Sequence, residues 1–120
     1  DIREDAAVEL DKLIVILRDN PNISIELSSH TDDRASVDYN QNLSQRRAES
    51  AVSYILSKGI DDNRITARGY GESQLIILNA ETEDEHQINR RTEFKVTSYE
   101  FIDTSNSEDE EDKFFNNNQN

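Results

Sequence analysis

Cysteine is absent from the 120 residues, which excludes a disulfide framework and thiol chemistry and leaves the redox compartment open. Apolar residues are scarce at 33 % of the chain, and no run approaches the roughly 20 consecutive apolar residues of a membrane-spanning helix. Positive charge is scarce as well: 13 Lys and Arg stand against 26 Asp and Glu, a net charge of −13. Nucleic acid and anionic membrane surfaces both call for a positive field, so we expect neither nucleic-acid binding nor direct membrane insertion. No signal-peptide pattern is present. The chain starts directly in helical pattern, as a mature fragment cut from a longer precursor would.

What remains is enough for one domain with one modest core, concentrated in a few elements. Residues 1–102 read as that domain. Residues 103–120 hold six acids and one lysine, five of the thirteen excess negative charges, and their Ser, Asn and acid bias reads as a disordered tail. Phe114 and Phe115 within it are either a short docking motif or two apolar residues in a floppy segment.

Apolar residues at Ala6, Leu10, Leu13, Ile14 and Leu17 recur at helical spacing, and Asn20-Pro21 ends that helix. Ile23, Ile25 and Leu27 then alternate with polar residues, a strand with one covered face. A polar loop, Ser29-His30-Thr31-Asp32-Asp33, follows at its carboxyl end. A second helix runs from Ser36 or Val37 to Lys58, with Leu43, Ala48, Ala51, Val52 and Ile55 on its buried side and Gly59 placed to end it. Arg64 to Arg68 alternates as a strand, with Ile65 and Ala67 inward, until Gly69-Tyr70-Gly71 breaks it. A polar stretch from Glu72 to Asn89 reads as loop, although Leu75-Ile76-Ile77-Leu78 inside it must be covered or form a sticky patch. Thr92, Phe94 and Val96 mark a last strand that extends as far as Ile102. Strand, long helix and strand form a βαβ unit, expected to be right-handed with parallel strands. Three strands make a thin sheet under two helices, which leads us to expect a further strand upstream of Asp1.

Several separated motifs then fall in a familiar order: His30-Thr31-Asp32, Tyr39-Asn40, Leu43-Ser44, Arg47-Ala48, Gly59-Ile60, Arg64-Ile65, Gly69-Tyr70-Gly71-Glu72 and Asn89-Arg90-Arg91. Together they resemble the OmpA-like peptidoglycan-binding domain, the family of the OmpA C-terminal domain, the Pal lipoprotein and the motor protein MotB. The likeness covers Ile2 to Val96. It implies a two-layer α/β sandwich, a small mixed sheet with two main helices on one face, whose first family strand would precede residue 1. It also implies non-covalent binding of peptidoglycan through the diaminopimelate residue of the stem peptide, in the periplasm of a Gram-negative cell, within an outer-membrane-associated protein. Carried over motif by motif, the ligand contacts fall on Asp32, Arg47, Asn40, Thr31, Leu43 and Arg90. Two departures bear on the site. Ala35 stands where the family has Gly, and a loop using positive φ there would be strained. Gly71-Glu72-Ser73-Gln74-Leu75 lacks the proline of the usual GES-x-P pattern.

The chemistry suits the residue types. The free end of diaminopimelate carries one ammonium and one carboxylate on one carbon, which Asp32 and the planar fork of Arg47 can hold. Backbone N–H groups at the start of the second helix add an anion-friendly site. Each residue also has a structural reading: Asp32 as a turn or helix cap, Arg47 as a salt-bridge partner of Asp32, Asp33 or Asp38, Asn40 as a helix-start residue, Arg90 and Arg91 as a solvated strand start. An enzyme is not expected. His30-x-Asp32 lacks a third metal ligand at sensible spacing, Asp32-Asp33 lacks the partners of a phospho-acceptor site, and no cofactor is implied. The competing class is a periplasmic protein–protein adaptor or dimerisation module with a vestigial pocket, using Ile76, Ile77, Leu78 and the tail on a second copy or an envelope protein.

Overall fold

A computed structural model describes residues 4–99 of the chain. Its elements are α1 (Glu4–Asp19), β1 (Ile23–His30), α2 (Val37–Ser57), a 3₁₀ turn (Asp62–Arg64), β2 (Ile65–Gly71), α3 (Glu83–Asn89) and β3 (Thr92–Tyr99). The strands lie in the order β2-β1-β3, β1 running parallel to β2 and antiparallel to β3. The expected continuation of the last strand to Ile102 and the tail with Phe114 and Phe115 lie outside the described residues.

Period decides which faces meet. Ile23, Ile25 and Leu27 alternate along β1 toward the helices, and Leu10, Leu13, Ile14 and Leu17 of α1 with Ala48, Ala51, Val52 and Ile55 of α2 cover them. Leu17, Ile25, Leu27 and Ile55 are the largest fully buried apolar side chains, each worth roughly 1.5–3 kcal/mol in transfer from water. Ala6 fits the helical stripe but is exposed, because the stripe reaches the core only from Leu10 onward. Leu75 and Ile77 are half-buried, whereas Ile76 and Leu78 face solvent.

The termini of α2 show why it spans what it does. The Ser36 hydroxyl accepts from the Tyr39 N–H at 3.1 Å as N-cap. At the other end Gly59 takes φ +99°, a left-handed conformation that releases the chain from the helix after Lys58.

Two expectations give way. The Gly69-Tyr70-Gly71 run does not break β2. The strand continues to Gly71, but with a bulge at Tyr70, since Gly69 pairs with Ser29 and Gly71 with the next residue, His30, and it ends there with Gly71 at φ +56°. Glycine is needed at 69 for proximity rather than for a turn, because a Cβ there would lie 2.6 Å from the Gln45 Cα of α2. The stretch read as loop up to Asn89 also contains α3. Thr82 and Glu85 make a reciprocal capping box: the Thr82 hydroxyl accepts from the Glu85 N–H, and the Glu85 carboxylate accepts from the Thr82 N–H, both at 3.1 Å.

On β3 the inward residues pair as the sheet requires, Phe94 opposite Leu27 and Val96 opposite Ile25. Yet Phe94 is 44 % and Val96 41 % exposed. Among the described residues β3 is an edge strand, and the helices do not reach across it.

Candidate functional site

Parallel strands β1 and β2 end on the same side, and the polar loop after β1 is held there from three directions. The His30 N–H donates to the Arg91 carbonyl and the Thr31 N–H to the Gly71 carbonyl, both at 2.9 Å. The Thr31 hydroxyl donates to the Asp32 carbonyl at 2.8 Å. Asn40, in the first turn of α2, is buried, and its side-chain amide has three acceptors in reach: the Asp32 carbonyl (3.1 Å), the Ala35 carbonyl (3.3 Å) and the Glu72 carboxylate (2.9 Å). Ala35 lies outside the left-handed region, so the strain expected for a family-like loop with positive φ does not arise. Here Asn40 is a strut tying the loop to the helix.

Asp32 sits at the centre with only 8 % of its surface exposed. Its Oδ1 accepts from the Arg34 backbone N–H at 3.1 Å, a local turn of the kind aspartate favours. Its Oδ2 accepts from Arg34 Nη2 at 2.8 Å, Arg34 Nε at 3.2 Å and Arg90 Nη1 at 2.7 Å. Both guanidinia also reach Glu83 at the start of α3, Arg34 Nη1 at 3.0 Å and Arg90 Nη2 at 2.6 Å. Two acids and two bases thus close a ring of matched charge. Burial works to raise the Asp32 carboxyl, but the Arg34 and Arg90 hydrogen bonds outweigh it and hold the group well below the usual carboxylate range. Hydrogen bonds from Arg90 and Arg34 likewise lower Glu83.

Arg47 is differently placed. It lies on the exposed part of α2, its guanidinium paired with no side chain among the described residues. With Leu43 it lines a groove of about 800 Å³ between α1, α2 and β3, floored by Leu10, Leu13, Leu27 and Phe94. Thr92 and Glu93, which directly follow Arg90-Arg91, line the same groove. Strand β2 holds α2 in place. Gln41 Nε2 donates to the Gly69 carbonyl at 2.7 Å, the Gly69 N–H to Gln45 Oε1 at 2.7 Å and the Gly71 N–H to the Ser44 hydroxyl at 2.8 Å. These three side chains precede Arg47 on the helix and fix where it projects.

The histidines stay out of this ring. His30 stacks on Tyr70 at 5.3 Å between centroids, on the sheet face away from the helices, with Nε2 3.5 Å from Glu93. Burial and then the Arg91 charge lower its pKa. His86 is buried with Nδ1 3.9 Å from Asp33. Among the described residues no group of three or more His, Cys, Asp or Glu is arranged to hold a metal ion.

Direct bonds therefore join Thr31, Asp32, Asn40 and Arg90, while Leu43 and Arg47 belong to the adjoining groove. Reading the sequence missed Arg34 and Glu83. Arg34 stands two residues from Asp32 in a loop, where spacing fixes no direction, and Glu83 belongs to the overlooked α3. Arg91 is structural: it donates to the Asn89 and Gln74 carbonyls and pairs with Glu93.

Taken together, fold and site define a small α/β sandwich with a charged loop at the carboxyl end of its parallel strands. The OmpA family model matches residues 1–90, and the chain belongs to that family. It is 43 % identical over 76 residues to outer membrane porin F of Pseudomonas fluorescens, covering 63 % of this chain and 23 % of that protein. It is 30 % identical over 96 residues to the probable lipoprotein YiaD of Escherichia coli K12, covering 80 % and 43 %. The chain thus spans less than half the length of either relative. The fold matches the peptidoglycan-associated lipoprotein of Burkholderia pseudomallei with a TM-score of 0.73 at 24 % identity over 81 % of both chains. It matches the C-terminal domain of Helicobacter pylori MotB with the same TM-score at 19 % identity, covering 100 % of this chain and 89 % of that one.

Proposed function

We propose that this domain binds peptidoglycan through the diaminopimelate residue of the stem peptide and tethers an outer-membrane-associated protein to the cell wall of a Gram-negative bacterium. The reading is supported by an ionised, nearly buried Asp32 and by an exposed Arg47 whose guanidinium pairs with no side chain among the described residues, the two positions to which the family resemblance assigns the ligand's charges. Asp32 accepts from the ligand's ammonium. Arg47 takes the carboxylate on the same carbon, in the two-pronged geometry that lysine does not reproduce. Leu43 lies against the ligand's aliphatic stem, while Thr31, Asn40 and Arg90 hold Asp32 in position. Charge-assisted bonds of this kind contribute about 1.5–3 kcal/mol each, less where water enters. A polymeric ligand multiplies modest single-site affinity by avidity. Porin F, a peptidoglycan-associated lipoprotein and MotB among the similar proteins support an envelope setting.

The test is co-sedimentation with purified sacculi. Asp32→Ala and Arg47→Ala proteins that stay folded should remain in the supernatant while the parent chain pellets. Retention of both variants on the sacculi would transfer the binding to another surface. That outcome favours the second reading, an adaptor or dimerisation module, for which the exposed Ile76, Leu78, Phe94 and Val96 speak.

A further inference from the structure

We propose that Arg34 is a specificity-determining residue that acts as a displaceable stand-in for the ligand's cation. In the free protein its guanidinium occupies the place on Asp32 that the ammonium must take. The inference rests on the reading of Asp32 as the ammonium acceptor, and it follows from how the two cations on that carboxylate differ. Arg90 comes from the junction of α3 and β3, is mostly covered, and bonds Oδ2 at 2.7 Å. Arg34 comes from the loop itself, has a half-exposed side chain and caps the same oxygen from the solvent side with Nη2 and Nε. With three donors on Oδ2 and the Arg34 backbone N–H on Oδ1, Asp32 has little accepting capacity left. An ammonium arriving at Oδ2 has to displace one cation, and Arg34, with a side chain 50 % exposed against 29 % for Arg90, is the more accessible of the two.

The exchange conserves charge. One cation leaves Asp32 as another arrives, so the buried carboxylate is never left unpaired. The departing guanidinium is not released into water either, because its Nη1 already holds Glu83 at 3.0 Å. Arg34 therefore pivots from two carboxylates to one. A ligand without a cation at this position cannot replace what it displaces, so it leaves the latch shut. Selection for the ammonium is built into the empty site, separately from the carboxylate selection assigned to Arg47.

The experiment titrates free meso-diaminopimelate into the full chain and into Arg34→Ala, Arg34→Gln and Asp32→Ala variants, with binding followed by amide shifts of residues 30–47. Thermal unfolding of each variant confirms folding. Removing a half-exposed competitor should tighten binding about three- to tenfold in both Arg34 variants, and Asp32→Ala should abolish it. Unchanged or weaker binding by the Arg34 variants, with the parent chain still binding, overturns the latch and makes Arg34 a bystander or a direct ligand contact. No binding by any folded protein overturns the diaminopimelate reading itself and the latch with it.

Discussion

Asp32 and Arg47 were paired by sequence motif, but they stand in opposite physical states. The carboxylate is nearly buried, ionised and saturated by Arg34 and Arg90. The guanidinium is exposed beside an apolar groove and unpaired among the described residues. One side of the site is already organised around a charge, and the other waits for one. Mutations at the two positions should therefore separate stability from binding, although both are assigned to the same ligand.

The most disruptive change removes the relation between the two sides altogether. Gly69→Ala would drive a Cβ into the Gln45 backbone of α2 and break the hydrogen bonds that set the helix against β2. We expect a loss of about 3 kcal/mol or more, measured by urea unfolding, because backbone rather than a flexible side chain is in the way. Asp32→Ala comes next. It should lower stability by about 1–3 kcal/mol, since Arg34 and Arg90 lose a partner in a partly buried ring, and it should abolish ligand binding. Arg47→Ala should abolish binding with a stability change within about 0.5 kcal/mol, as expected for an exposed side chain that forms no hydrogen bond or ion pair among the described residues. Equal destabilisation by the two substitutions would break the contrast.

Acid sharpens it further. Asp32 and Glu83 have depressed pKa values in the fold, so the stability they add is present above about pH 4, their unfolded range, and is lost as pH falls toward their folded values. A pH series of unfolding midpoints should decline below about pH 4. Asp32→Asn should reduce that slope and Arg47→Ala should leave it unchanged. His30 adds a smaller effect at higher pH. Its lowered pKa means that the unfolded chain binds the extra proton, so stability should begin to fall below about pH 6.5. His30→Phe, which keeps a ring on Tyr70, should flatten the curve there.

Much of the architecture was legible because periodicity is a direct imprint of burial. Leu10, Leu13, Ile14 and Leu17 announce a helix, and Ile23, Ile25 and Leu27 a strand, for the reason that those faces meet in the core. What misled was punctuation. Gly69 and Gly71 suggest a break, yet Gly69 serves close packing of β2 on α2, and only Gly71, at φ +56°, ends the strand. The seven-residue α3 is too short for an apolar stripe and was visible only in the Thr82-x-x-Glu85 capping pattern. The site divides the same way. Asp32, Asn40 and Arg90 were reachable through motif resemblance, and three-dimensional bonds tie them together. Arg34 and Glu83 complete the ring through tertiary contacts 49 positions apart, which no local pattern encodes.

One titration bears most directly on the two-charge grip: stem peptides ending in diaminopimelate or in lysine, added to the same labelled domain. Lysine keeps the ammonium and lacks the carboxylate, so it would satisfy Asp32 and leave Arg47 as it is now. A site that pairs both charges should discriminate strongly against the analogue missing one. We predict saturable shifts across residues 30–47 with the diaminopimelate peptide and little response to the lysine peptide. Matching affinities for both would contradict the account.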